Sequence, residues 1–215
     1  ISQNAGSKVY GSWSKWTINK SSSGTTIAAS GGSGTVSAPT AIRTRSYTWN
    51  GTGTSYTEQG TGTPTLTKQS GNGSFSVSGT TATVSYGNNT TISSKSTVVR
   101  ATMDTEYVDT TFTQSAGSKV YGSWSIWSVY CNASSFTVSA SGGSVTIYSG
   151  ASRSRSWTWN GVSGSGGTES ESGTPTLSAS GSGSLSGTTL SYGNNTSTSS
   201  RTTRVTASYG GSSNY

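Results

Sequence analysis

The sequence predicts an all-β protein of two tandem antiparallel β-sandwich domains. An internal repeat is the first observation behind this. The run Gln114-Ser-Ala-Gly-Ser-Lys-Val-Tyr-Gly-Ser-Trp-Ser125 restates Gln3-Asn-Ala-Gly-Ser-Lys-Val-Tyr-Gly-Ser-Trp-Ser14 with one change, and near-identity over such a length marks two copies of one unit. A second observation is that short β-prone runs alternate with clusters of Gly, Ser and Asn at the spacing of sandwich strands. Helix signals are almost absent: no segment carries a 3.6-residue apolar period, and Ala, Leu, Glu and Lys are sparse. Trp13 and Trp124 lie 111 positions apart (124 − 13), a normal size for a small β-domain.

Composition refines this. Of 215 residues, 28% are hydrophobic and 9% charged. Low hydrophobicity would suggest disorder, but disordered chains are also poor in aromatic and β-branched residues. Here seven Trp, eleven Tyr and abundant Thr and Val argue for a folded chain with a sparse aromatic core, since one large ring buries about 150–250 Å². Thirteen basic residues against six acidic ones give a formal charge of +7. The bases are scattered rather than clustered along a phosphate track, so no nucleic-acid partner is expected. No apolar run approaches the ~20 residues of a membrane helix, so no membrane insertion is expected. The single Cys131 has no internal disulfide partner.

In copy one, Val9 to Ile18 reads as an early strand bent at Gly11. Thr25–Ser30 and Thr35–Ala38 read as two short strands around the turn Gly31–Gly34. Arg43 to Trp49 alternates and stops at the turn signal Asn50-Gly51, followed by a Gly/Thr-rich loop from Gly51 to Pro64. Further strands are expected near Thr65–Thr67, Ser74–Val77, Thr81–Tyr86, Lys95–Thr102 and Tyr107–Gln114. Copy two retraces this path: Arg153-Ser-Arg-Ser-Trp-Thr-Trp-Asn-Gly161 matches Arg43-Thr-Arg-Ser-Tyr-Thr-Trp-Asn-Gly51, and Ser191-Tyr-Gly-Asn-Asn-Thr196 matches Ser85-Tyr-Gly-Asn-Asn-Thr90. Seven or more antiparallel strands in roughly 100 residues is the dimension of an immunoglobulin-like sandwich, here without its Cys–Trp–Cys pattern.

The expected boundaries are residues 1–6 as the tail of a preceding repeat's last strand, 7–117 as domain 1, and 118–215 as domain 2 lacking its closing strand. Tyr215 is aligned with Tyr107, where copy one's last strand begins. Two accounts of this phase shift stand: a window cut from a longer array, or strand donation between chains of a homo-oligomer.

The element Thr111-Phe-Thr-Gln-Ser-Ala-Gly117 resembles the closing strand of BACON-type and related immunoglobulin-like tandem repeats of gut Bacteroidetes and their crAss-like phages. So do Asn88 to Thr102 and Asn194 to Ser208, where Asn-Asn-Thr precedes a basic residue and alternating Thr and Val. The early pair Thr26 to Val36 is similar as well. The resemblance implies an immunoglobulin-like fold on a virion surface, or in an extracellular or bacterial cell-surface setting. It implies further repeats of the same longer chain and other virion or surface subunits as partners, with glycans as ligands proposed for the family.

Catalytic chemistry is not expected. The absence of histidine removes the Ser–His–acid and Cys–His arrangements and the commonest transition-metal ligand. The acids Glu58, Asp104, Glu106, Asp109, Glu169 and Glu171 sit mostly in expected loops, without the fixed pairing of a glycosidase. Asp104-Thr-Glu106 offers at most part of a calcium site, with solvated loop acids the plainer reading. No cofactor, metal or catalytic residue is assigned.

Two clusters remain as candidate glycan or interface contacts. One is Arg43, Arg45, Tyr47 and Trp49, repeated as Arg153, Arg155, Trp157 and Trp159, which a period of two places on one face. Exposed, these rings and guanidiniums would suit sugar faces or acidic glycans. Buried, the rings would fill the core while the arginines stack on other rings at its rim. The other cluster is Tyr10, Trp13 and Trp16, repeated as Tyr121, Trp124 and Trp127, read as interface packing or core ahead of sugar binding. Simple alternation places Trp13 on the face opposite to Tyr10 and Trp16. Two functions follow: a virion-surface module of head-fibre or capsid-decoration type, adhering weakly to glycans with avidity from repetition, or a purely structural spacer or oligomer-building repeat.

Overall fold

The computed structural model describes residues 1–132 and 136–215, and the chain is all-β. Contacts divide it into two compact units. Unit 1 comprises Ile1–Val120 and Trp159–Ser165, and unit 2 comprises Tyr121–Thr158 and Gly166–Tyr215.

Copy one folds as strands β1 (Lys8–Tyr10), β2 (Thr17–Ser23), β3 (Thr26–Ile27), β4 (Gly32–Trp49) and β5 (Thr52–Gly62). These are followed by β6 (Thr65–Gly71), β7 (Ser74–Ser78), β8 (Thr81–Tyr86), β9 (Lys95–Met103) and β10 (Glu106–Gln114). One sheet runs β1-β4-β8-β7, with β2 and β5 also pairing β4; the other runs β3-β10-β9-β6. The core lies between them. Val36, Ala38, Ala82, Val84 and Tyr86 from the first sheet meet Ile27, Leu66, Val99, Ala101 and Phe112 from the second.

The core is not the aromatic one expected from composition. Aliphatic side chains fill it with only two buried rings, Phe112 and Tyr86, and none of the tryptophans is among the buried residues. Alternation explains this. β8 reads Thr-Ala-Thr-Val-Ser-Tyr, with every second residue buried, so Thr and Ser occupy the outward positions and short apolar residues suffice inside. Most polar side chains that reach the interior are hydrogen-bonded, although Gln114 Oε1 is buried without a partner. Thr97 Oγ1 lies 2.6 Å from the Tyr86 hydroxyl and accepts from the Gly73 amide at 2.9 Å. Gln114, fully buried, donates from Nε2 to the carbonyls of Gly87 at 2.6 Å and Ala29 at 3.2 Å.

Three further expectations are corrected in copy one. β4 is a single long strand rather than two separated pieces, because Gly32 and the residues after it pair with β8 while its second half pairs with β5. The segment Gly51–Pro64 is mostly strand rather than loop. Asn50 and Gly51 take φ of 57° and 75°, the left-handed pair that reverses a tight hairpin, and Thr52 to Gly62 runs back along β4 from Trp49 to Ala41. The single bent strand expected from Val9 to Ile18 is instead β1 and β2, separated by an irregular run.

Copy two forms β11 (Lys119–Tyr121), β12 (Ser128–Cys131), β13 (Gly143–Thr146), β14 (Ser149–Trp159) and β15 (Gly167–Gly173). It continues with β16 (Thr176–Gly181), β17 (Ser184–Ser186), β18 (Thr189–Tyr192), β19 (Thr203–Tyr209) and β20 (Ser212–Asn214). Its sheets run β11-β14-β12 with β15 on β14, β13-β18-β17, and β16-β19-β20. Among the described residues its buried apolar side chains are few: Ile147, Ala151, Leu190 and Ala207.

The closing strand of copy two is begun rather than wholly absent, since β20 pairs β19 with Asn214 opposite Ala207. Ala207 faces Leu177 as Ala101 faces Leu66. Asn214 is therefore the counterpart of Val108, which faces Ala101. Tyr215 then stands at the place of Asp109, two positions beyond the Tyr107 alignment read from the sequence, because the offset of 106 between Tyr192 and Tyr86 (192 − 86) is kept through this last strand pair.

Candidate functional site

The two candidate clusters are one structure. Between β1 and β2, the Gly11 amide donates to the Ser46 carbonyl at 2.9 Å and the Ser14 amide to the Thr44 carbonyl at 2.7 Å. Three residues of this run therefore span two residues of β4. Its side-chain period becomes three instead of two, and Tyr10, Trp13 and Trp16 all come to the face that carries Arg43 and Arg45. Simple alternation had placed Trp13 opposite, and that placement is overturned by the change of period.

The result is an interleaved ladder. The Arg45 guanidinium carbon lies 3.6 Å from the Tyr10 ring centroid and 4.3 Å from that of Trp13. Arg43 follows, at 4.7 Å from Trp13 and 4.4 Å from Trp16. The order along the ladder is Tyr10, Arg45, Trp13, Arg43, Trp16. At its far end the Trp16 indole N–H donates to Asp104 Oδ2 at 2.5 Å, in the turn between β9 and β10.

Copy two rebuilds the ladder with the same order and spacing. Arg155 lies 3.9 Å from Tyr121 and 4.4 Å from Trp124, and Arg153 lies 4.8 Å from Trp124 and 4.5 Å from Trp127. The Gly122 and Ser125 amides donate to Ser156 and Ser154 as their counterparts do in copy one. Trp127 closes edge-on against Tyr209, ring centroids 4.5 Å apart, in place of an indole–carboxylate bond. A planar guanidinium sandwiched between two electron-rich faces is attracted to both, each contact contributing about 0.5–2 kcal/mol according to its desolvation.

The acids complete it. Arg45 meets Glu58 at 2.6 Å, Arg155 meets Glu169 at 2.8 Å and Arg153 meets Glu171 at 2.8 Å. These glutamates were expected in loops; they lie on β5 and β15, directly across the ladder from their arginines. Arg43 faces Gly60 instead, and its buried Nε has no hydrogen-bond partner. Asp109 and Glu106 also lie on a strand, β10. Arg100 donates to both oxygens of Asp109 at 2.8 Å, and this hydrogen bonding holds the Asp109 carboxyl below the ordinary aspartate value. Glu106 pairs with Lys15 at 3.4 Å. Asp104 and Glu106 thus turn to different partners, and no group of three metal-ligating side chains occurs among the described residues.

Tyr47 and Trp49 extend the stripe on β4 beyond the ladder. Tyr47 stacks on Tyr56 at 5.4 Å and meets Trp49 edge-on at 6.3 Å, while Lys8 Nζ sits 4.3 Å above the Tyr47 ring. Neither ring is core: Trp49 is 45% exposed and Tyr47 half-buried. Trp157 and Trp159, their counterparts, are half-buried. Of the expected residues, the structure brings Arg43, Arg45, Tyr10 and Trp16, with Arg153, Arg155, Tyr121 and Trp127, into the ladders. Trp13 and Trp124 are the central rungs, and Trp13 had been expected on the opposite face. Their signal in the sequence is an aromatic residue at every third position from Tyr10 to Trp16, kept from Tyr121 to Trp127.

Compared with protein-family models, curated proteins and solved structures, the chain matches none.

Proposed function

We propose that this chain is a non-enzymatic structural module, a pair of tandem immunoglobulin-like repeats serving for display or spacing on a phage virion or bacterial surface. The observation that carries this reading is the double ladder. The arginines and rings best suited to recognise a ligand spend their faces on each other, in the same order in both copies. A binding site would leave at least one such face open to its ligand.

Weak glycan adhesion is the second reading, favoured by one observation: Trp49 and Tyr56 are each nearly half exposed beside Tyr47 and Lys8. A glycan array probed with the intact protein separates the two. The structural reading predicts no binding. Binding that Trp49→Ala abolishes while circular dichroism stays unchanged would replace it with adhesion.

A further inference from the structure

We infer that unit 1 holds an anion site at Arg43, shaped for a small organic carboxylate where unit 2 uses the side chain of Glu171. Every other arginine of the ladders makes one and the same contact. Arg45 Nε donates to Glu58 Oε2 at 2.7 Å, Arg155 Nε to Glu169 Oε2 at 2.9 Å and Arg153 Nε to Glu171 Oε2 at 2.9 Å. In each pair Nη2 closes on the same oxygen, at 2.6 Å for Arg45 and 2.8 Å for the other two. The faces of each guanidinium belong to the rings, and its Nε–Nη2 edge belongs to a carboxylate on the neighbouring strand.

Arg43 keeps the faces and lacks the acid. It stacks on Trp13 and Trp16 as Arg153 stacks on Trp124 and Trp127. Across the strand pair, however, it meets Gly60 where Arg153 meets Glu171. Its Nε is buried without a hydrogen-bond partner, and Arg43 enters no ion pair among the described residues. A buried donor without an acceptor has lost its hydration and gained nothing in return, and the cost is higher on a charged group. A negatively charged acceptor offsets that cost best.

The comparison between copies also gives the ligand its shape. Glu171 ends in a methylene and a carboxylate, so acetate or another short organic acid reproduces the group that meets Arg153. A side-chain atom on Gly60 would stand 3.2 Å from Trp13 Cη2 and 3.4 Å from Arg43 Cγ. Entry therefore asks the indole to yield slightly, and unit 2 accommodates a whole glutamate at this place with its ladder intact. A carboxylate matches the planar donor edge of arginine, which a spherical anion does not. The site uses the edge of the guanidinium and the ladder uses its faces, so it stands whether the repeats serve for display or for spacing.

Heteronuclear NMR of the arginine Nε–H resonances of the intact chain tests this, with sodium acetate as the probe and sodium chloride at equal ionic strength as the reference. The Arg43 resonance should move saturably, with a midpoint of about 1–100 mM, the weak range of a single charge-assisted contact. Those of Arg45, Arg153 and Arg155, whose edges are filled, should stay in place. Gly60→Glu should abolish the response, and Glu171→Gly should create a second one at Arg153. Acetate should also raise the denaturation midpoint of unit 1 but not that of the Gly60→Glu variant, a readout that does not depend on the folding of Glu171→Gly. An Arg43 resonance that acetate leaves in place, or that chloride moves equally, overturns the inference. So does an acetate response that survives Gly60→Glu. Binding of a glutamate-bearing peptide blocked at both ends, without binding of acetate, would also overturn it, since the site would then belong to a protein partner.

Discussion

Trp13 shows how a residue's role is set by the period of the backbone that carries it. On a plain strand it would point away from Arg43 and Arg45; on the three-for-two run beside β4 it lies between them. Replacing Arg45 by Lys keeps the charge but removes the planar face that touches Tyr10 and Trp13 together. We expect a loss of about 1 kcal/mol in unit 1, read by chemical denaturation, with Arg155→Lys behaving alike in unit 2. Asp109 sets a pH prediction. Its carboxyl is held below the ordinary value by the hydrogen bonds from Arg100. A depressed folded pKa contributes stability that is complete above the unfolded pKa and lost as pH falls towards the folded one. The Asp109 carboxyl should therefore titrate, by carbon NMR, below the ordinary ~3.9, and Asp109→Asn should flatten the acid limb of the stability curve in that range.

At the scale of elements, β5 and β15 explain why part of the site escaped sequence reasoning. The hairpin turn Asn50-Gly51 was legible, yet Gly51–Pro64 read as a loop because Gly and Thr carry little apolar alternation. Its strand character comes from pairing along β4 and from Glu58 reaching Arg45, a tertiary effect that local composition does not encode. The arginines, Tyr10 and Trp16 were legible as repeated, chemistry-bearing positions. Their joint ladder was not, because the change of period after Tyr10 comes from backbone pairing with β4, and its one mark, aromatics at every third position, is not what strand alternation looks for. The aromatic core failed for a related reason: rings were assigned inside because few aliphatics were available, whereas guanidiniums supplied their packing partners outside it. One comparison between copies yields a stabilising substitution. Arg153 has Glu171 across the strand pair, but Arg43 has Gly60, with Trp13 close enough that a side chain there needs a small adjustment. Gly60→Glu should stabilise unit 1 by about 0.5–1 kcal/mol, by removing a strand glycine and giving Arg43 its acid. A higher denaturation midpoint with unchanged slope checks this.

At the scale of the whole molecule, the two units share a plan but not a core. Every side chain among the largest fully buried ones belongs to unit 1, including Phe112, Gln114 and Val99. Fewer side chains are buried in unit 2 among the described residues, so it should unfold first, and calorimetry should resolve a lower transition belonging to it. The ladders supply the physical argument for the proposed structural role.

The central claim, that the ladders hold the fold rather than bind a ligand, is tested most directly by truncating their middle rung. Trp13→Ala removes the ring on which Arg43 and Arg45 both stack. Equilibrium denaturation should show unit 1 weakened by about 2–4 kcal/mol, with unit 2 unchanged, and Trp124→Ala should reverse the pattern. Full stability in both variants would contradict the account and return these rings to the role of a recognition surface.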